Sequence, residues 1–272
     1  MLPSLTSRVV VHINDYQMVA VRYARLPKKR ILQTEILPIA RSVDKSEESI
    51  VAEMLTKLFT RDEFKGLSTE FIFSHHYTKQ KVAEWNQQLS QEDQQALLKH
   101  QLSETYGLND QSFEVVLSDQ GFNKHKLAFT LSKTLLSTIN ALVSQKKIKR
   151  ALVSPYFANC INYWHQNITK NAWVIVHEEN VLHIGKVAED NWQSFKTYTI
   201  KAPHELATKL KRELLFQATE DDFNVYLMTD SPEKFNSQEI LSSLDTKRAL
   251  HALKPKVSGN FPLPLRFLAY SI

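Results

Sequence analysis

Apolar positions along the chain follow two periods. Residues 8–13, 18–23 and 31–37 form short β-branched runs separated by Asn14-Asp15 and Pro27-Lys28-Lys29, which predicts three strands in an antiparallel meander. The period then lengthens. Ile50, Val51, Met54, Leu55, Leu58 and Phe59 fall on one helical stripe, with Asp44 or Ser46 placed to cap its start. Phe71-Ile72-Phe73 reads as a fourth, short strand.

The same order returns later in the chain. Residues 173–177 turn through Glu178-Glu179-Asn180 into residues 181–186, and 192–200 supply a third strand. Pro203 and His204 open a helix with Leu206, Leu210, Leu214 and Leu215 on one face, and 223–228 read as the strand that follows. A β-β-β-α-β unit is half of a ribonuclease-H-like fold, and its duplication is the plan of the actin-like ATPase fold. The predicted class is therefore α/β, with residues 1–168 as the first half and 169–272 as the second.

Extra material lies between the two units. The polar stretch 79–106 reads as helical, with Val82, Trp85, Leu89, Leu97, Leu98, Leu102 and Tyr106 as its apolar positions. Residues 113–117 and 126–130 read as a strand pair around Gln120-Gly121-Phe122-Asn123. A helix over 131–143, a strand over 150–153 and a helix opening at Ser154-Pro155 follow, and proline suits a first helical turn. Residues 75–131 thus read as a small α/β subdomain inserted into the first half.

Composition narrows the function classes. With 272 residues, 43% of them hydrophobic and 23% charged, the chain belongs with folded proteins and not with low-complexity ones. Its one cysteine, Cys160, forms no intramolecular disulfide, which fits a reducing compartment. No apolar run approaches the ~20 residues of a spanning helix, and Met1-Leu2-Pro3-Ser4 does not open a secretory signal, so a cytoplasmic location is expected. The net charge of +5 is concentrated at Lys28-Lys29-Arg30 and at 146–150, both of which fall at turns. Without a basic stripe carrying exposed aromatics, nucleic acid is not an expected partner. The five glycines, Gly66, Gly107, Gly121, Gly185 and Gly259, are too scattered for GxGxxG or GxxxxGK[ST] phosphate loops.

The stretch from Lys126 to Ser132 leading into a helix, then 147–154 leading into Pro155-Tyr156-Phe157-Ala158-Asn159, carries a resemblance. It is similar to the part that closes the first half in the actin-like assembly proteins of type IV pili and type II secretion systems: PilM, MshI and the cytoplasmic domain of GspL. The segment at 79–131 lies where that family places its insertion, and residues 265–270 resemble its closing apolar helix. The resemblance implies a cytoplasmic adaptor, at most peripheral at the inner membrane. It would hold the cytoplasmic tail of an inner-membrane pilus or secretion protein, with an assembly ATPase as a further partner.

The phosphate turns depart from the actin-like pattern. Such ATPases set glycine-containing turns at the start of each half, whereas residues 12–17, with Asn14 and Asp15, and 177–180, with Glu178 and Glu179, hold no glycine. The adenosine loop would fall at 229–233, also without glycine. Side chains at close-approach positions obstruct phosphates, and Glu178 and Glu179 repel them. No ATP binding or hydrolysis, no cofactor and no catalytic residue are therefore expected. The alternative is a divergent actin-like ATPase or a sugar or acyl kinase-like enzyme that still binds nucleotide.

Other chemistry has thin support. His12, His75 and His76 could converge at strand ends as transition-metal ligands, but no HxH or HExxH spacing accompanies them. Polar loop-end residues are the simpler reading. Cys160 sits on an apolar helix face and reads as a core residue. Tyr156, Phe157 and Trp164 lie on the helix joining the halves, where they read as packing, or as the lining of a groove for a peptide.

Overall fold

Each half opens with an antiparallel meander, as the alternation of apolar residues requires. β1 (Ser7–Ile13), β2 (Gln17–Ala24) and β3 (Arg30–Pro38) lead the first half, and β9 (Ala172–Glu178), β10 (Val181–Ala188) and β11 (Asn191–Thr199) lead the second. The computed structural model describes residues 7–24, 30–84, 86–117, 125–202, 204–216, 223–229 and 250–253. The turn at 27–29, Trp85, the turn at 120–123 with Gly121, residues 230–233, Gly259 and 265–270 lie outside the described residues.

Parallel strands complete each sheet. β4 (Leu67–Phe73) pairs with β1 and β8 (Ile148–Pro155) with β4, giving the order β3-β2-β1-β4-β8. β12 (Asn224–Thr229) pairs with β9 and β13 (Leu250–Leu253) with β12, giving β11-β10-β9-β12-β13. The duplication holds strand for strand, although β13 is too short to stand out in the sequence.

Helices cover the outer faces. α1 (Glu47–Leu58) starts at Ser46, not Asp44: the Ser46 hydroxyl accepts the Ser49 N–H at 3.2 Å, and Glu47 and Glu48 meet the positive end of the helix. With α3 (Lys133–Ser144) it packs Val51, Leu55, Leu135 and Ile139 against Val9, Val11 and Phe71. On the second sheet, Leu206 and Leu210 of α5 (His204–Phe216) pack against Ile175, Ile184 and Leu227.

A third sheet, order β5-β7-β6, lies between α1 and α3 in sequence and consists of β5 (Gln80–Ala83), β6 (Phe113–Leu117) and β7 (Lys126–Ser132). Leu98 and Leu102 of α2 (Gln91–Tyr106) pack on its Phe113 and Ala128. The continuous helix expected over 79–106 is instead a strand followed by a shorter helix. Residues 80–83 form a strand because Val82 and Leu127 turn toward the core shared by the two halves, and the helix begins only after Ser90, whose hydroxyl accepts the Asp93 N–H at 3.1 Å. Gly107, at φ 63°, ends it in the left-handed cap that glycine favours.

The inner faces of the two large sheets meet across α4 (Tyr156–Trp164). Val10, Val19, Val21 and Ile72 from one sheet and Val174, Val176 and Met228 from the other close on Tyr156, Phe157, Cys160 and Trp164. Pro155 is the residue before this helix, at φ −71°, and not within its first turn. Burying one large apolar side chain stabilises by roughly 1.5–3 kcal/mol, so this shared core binds the halves together strongly. Gly185 is required here, because a Cβ at that position would come within 2.5 Å of the Trp192 ring.

Candidate functional site

The carboxyl ends of β1, β4 and β9 converge where the halves face each other, the usual location of a site in an open α/β sheet. The β1–β2 turn is shaped by Asn14. Its Oδ1 accepts the N–H groups of Tyr16 and Gln17 at 3.2 and 2.8 Å, a local turn typical of asparagine. Its Nδ2 then donates across the cleft to Glu179 Oε1 at 2.8 Å.

The β9–β10 turn is built differently. Glu179 sits at φ 56°, in the backbone region that favours glycine. That conformation costs roughly 1–2 kcal/mol for a residue with a Cβ. The charge-assisted bond from Asn14 is worth about 1.5–3 kcal/mol and offsets it. Beside it, the buried Glu178 accepts the His75 N–H at 3.3 Å through Oε2, which also lies 3.5 Å from His183 Nε2.

His183 is enclosed. Its ring stacks on Phe195 with 5.7 Å between centroids and meets His75 edge-on at 5.2 Å. Burial lowers the pKa values of His183 and His75 to about 3, with Lys79 adding to both, so the two rings are neutral. The half-buried Lys79 donates from Nζ to the His75 carbonyl at 2.9 Å; burial lowers its pKa while Glu178 opposes that shift. Burial and Glu179 together raise the Tyr16 hydroxyl. The arrangement is a clasp between the halves: Asn14 and His75 on one side hold Glu179 and Glu178 on the other.

The histidines considered as metal ligands occupy separate settings. His12 is buried edge-on to Tyr156 at 5.6 Å, and burial lowers its pKa to about 3. His75 lies in the clasp, and His76 pairs with Glu47 at the start of α1. Among the described residues no group of three or more His, Cys, Asp or Glu is placed to hold a metal. Asp15 is half-buried in the first turn. Tyr156, Phe157 and Trp164 do not line a groove: α4 is wedged between the sheets, and all three are buried in the shared core.

His183 and Lys79 were not singled out from the sequence. A histidine amid the apolar run Val181-Leu182-His183-Ile184 was the available signal.

No protein-family model matches the chain, and neither does any curated protein. Among solved structures, a protein of unknown function with an actin-like ATPase fold from Bacteroides thetaiotaomicron superposes with a TM-score of 0.60, over 93% of this chain and 94% of its own, at 10% identity. The fold is actin-like. The same actin-like architecture is shared with a chain of the PilM-PilN type IV pilus biogenesis complex, with a TM-score of 0.61 over 91% of this chain and 88% of that one at 8% identity. It is also shared with the cytoplasmic domain of EpsL, an inner-membrane component of the Vibrio cholerae type II secretion system, with a TM-score of 0.52 over 98% and 94% at 6% identity. No described helix of this actin-like chain is long and apolar enough to cross a membrane.

Proposed function

We propose that the chain is a non-catalytic cytoplasmic adaptor that helps assemble the inner-membrane platform of a type IV pilus or type II secretion system. It would hold the cytoplasmic tail of an inner-membrane protein, with an assembly ATPase as a further partner. The observation that carries the non-catalytic part is the clasp: Glu178 and Glu179 place two carboxylates between the hairpin turns and are bonded to the opposite half. Carboxylates there repel phosphate, and the Glu179 side chain takes up the room that a glycine leaves for it. The choice of setting is supported by the structural likeness to PilM, seen in complex with PilN, and to the EpsL cytoplasmic domain.

Two measurements on the full chain test this. Thermal shift with ATP and magnesium is expected to show no stabilisation, whereas a ligand at a hundred times its Kd would add about 2.7 kcal/mol. Affinity purification from the source cells is expected to recover an inner-membrane pilus or secretion component. A clear ATP-dependent shift would replace this reading with that of a nucleotide-binding enzyme of the sugar or acyl kinase kind. Recovery of no envelope component would remove the assembly setting.

A further inference from the structure

β3 and β11 hold equivalent places, each the outermost meander strand of its sheet. They differ in what covers them. β11 packs against β5 of the small sheet, while no strand lies beyond β3 among the described residues. All nine residues of β3 are exposed or half-buried, and Ile31, Leu32 and Ile36 are 39%, 40% and 45% exposed. An open edge carrying apolar side chains is a template for another strand.

The sequence of β3 specifies which strand fits. Reversed about Thr34, it nearly repeats its own chemistry: Gln33 comes opposite Glu35, Leu32 opposite Ile36, and Ile31 opposite Leu37. A two-fold contact between identical surfaces requires this kind of self-complementarity. Thr34 and Ile36 register with Val21 and Val19 and so share one face of the sheet, while Gln33 and Glu35 share the other. The register with β2 slips between Gln33 and Ile31, so Leu32 has no β2 partner. That irregularity lies outside the stretch from Gln33 to Glu35 centred on the axis. The edge has no lysine, and Pro38 stands only at its end.

We infer that β3 pairs antiparallel with β3 of a second copy about a two-fold axis through Thr34, joining the two five-stranded sheets edge to edge. The pairing sets Leu32 against Ile36 twice, and the amide of Gln33 donates to Glu35 of the second copy twice. Glu35 keeps its ion pair with Arg61 of its own chain. Apolar and hydrogen-bonding pairs directly opposite each other are the stabilising units of such a contact. One strand pair buries less than a standard interface, so the dimer is reversible.

Sedimentation velocity of the full chain across a concentration series should show a monomer–dimer equilibrium. Thr34→Lys places two like charges on the axis and should leave a monomer at every concentration, with an unchanged far-ultraviolet spectrum. Residues directly opposite in an antiparallel pair have Cα atoms about 4.5–5.5 Å apart, within disulfide range. Thr34→Cys should therefore give a disulfide-linked dimer under mild oxidation, while Thr56→Cys on the exposed side of α1 should not; the native Cys160 is buried. A chain monomeric at all concentrations, a Thr34→Lys variant that dimerises like the parent, or equal crosslinking at both cysteines would overturn the inference.

Discussion

In the first half, the β1–β2 turn is held by an asparagine folded back onto its own backbone. In the second, the β9–β10 turn sets Glu179 at φ 56° and bonds its side chain to Asn14, 165 residues away. One turn is shaped by chemistry within four residues, the other by a contact with the opposite half. The same strand order therefore serves two roles: the first turn supplies a fixed donor, and the second is held against it. The halves share a plan without being interchangeable.

The largest effect should come from the core that both halves line. Phe157→Ala should cost about 3–5 kcal/mol. Because Phe157 touches Trp192 and Phe195 of the second half while sitting on α4, the loss should move one cooperative transition in both calorimetry and circular dichroism. A variant that unfolds in two separate steps would break the picture of a shared core.

A smaller effect concerns pH. The folded-state values of about 3 for His12, His75 and His183 lie below the ordinary 6.5, so the unfolded chain binds more protons between them. Stability is complete above pH 6.5 and falls as the pH drops through that window. Each histidine contributes up to ~1.4 kcal/mol per pH unit. Between pH 6.5 and 5, above the range where carboxylates titrate, His12→Gln should flatten the pH dependence of stability by about 2 kcal/mol in total. Urea titrations at several pH values read this directly, and an unchanged slope would contradict it.

The smallest effect sharpens the comparison of the two turns. Asn14→Ala should cost at least about 1.5 kcal/mol, because it removes the acceptor of the Tyr16 and Gln17 N–H groups as well as the bond to Glu179. Glu179→Gly loses the same bond but gains roughly 1 kcal/mol by relieving the left-handed backbone, so it should be nearly neutral. Combining the two should cost less than the sum of the singles, and strict additivity would show that the bond contributes nothing.

Much of the architecture was legible because it rests on periodicity. The meanders, α1 and the parallel strands follow alternating or helical apolar patterns that a reader can count. The difference at 80–83 has a physical cause: Gln80, Lys81 and Val82 precede a long polar helix, and only pairing with β7 and the packing of a half-buried Val82 against the shared core make them a strand. Gly185 was legible as a lone glycine, but its reason, the ring of Trp192, is tertiary. The clasp was half legible. Glu178 and Glu179 stand out as acidic residues in a turn, yet their partners Asn14 and His75 are 165 and 103 residues distant, and no local pattern reports such a distance. His183 was missed because a buried neutral histidine looks like any polar residue in a strand.

The position of α4 between the sheets has a consequence for how the chain is made. When the ribosome has released residues up to Trp164, the first sheet already has α1 and α3 on its outer face. Its inner face, with Val10, Val19, Val21 and Ile72, has α4 against it, but the side of α4 that meets Val174, Val176 and Met228 is still bare. The strands of the second half that close on it end at Thr229, and at about 5–20 residues per second those residues take roughly 3 to 13 seconds to appear. For that interval the nascent chain presents an uncovered apolar surface of the kind that invites aggregation until the second half folds onto it.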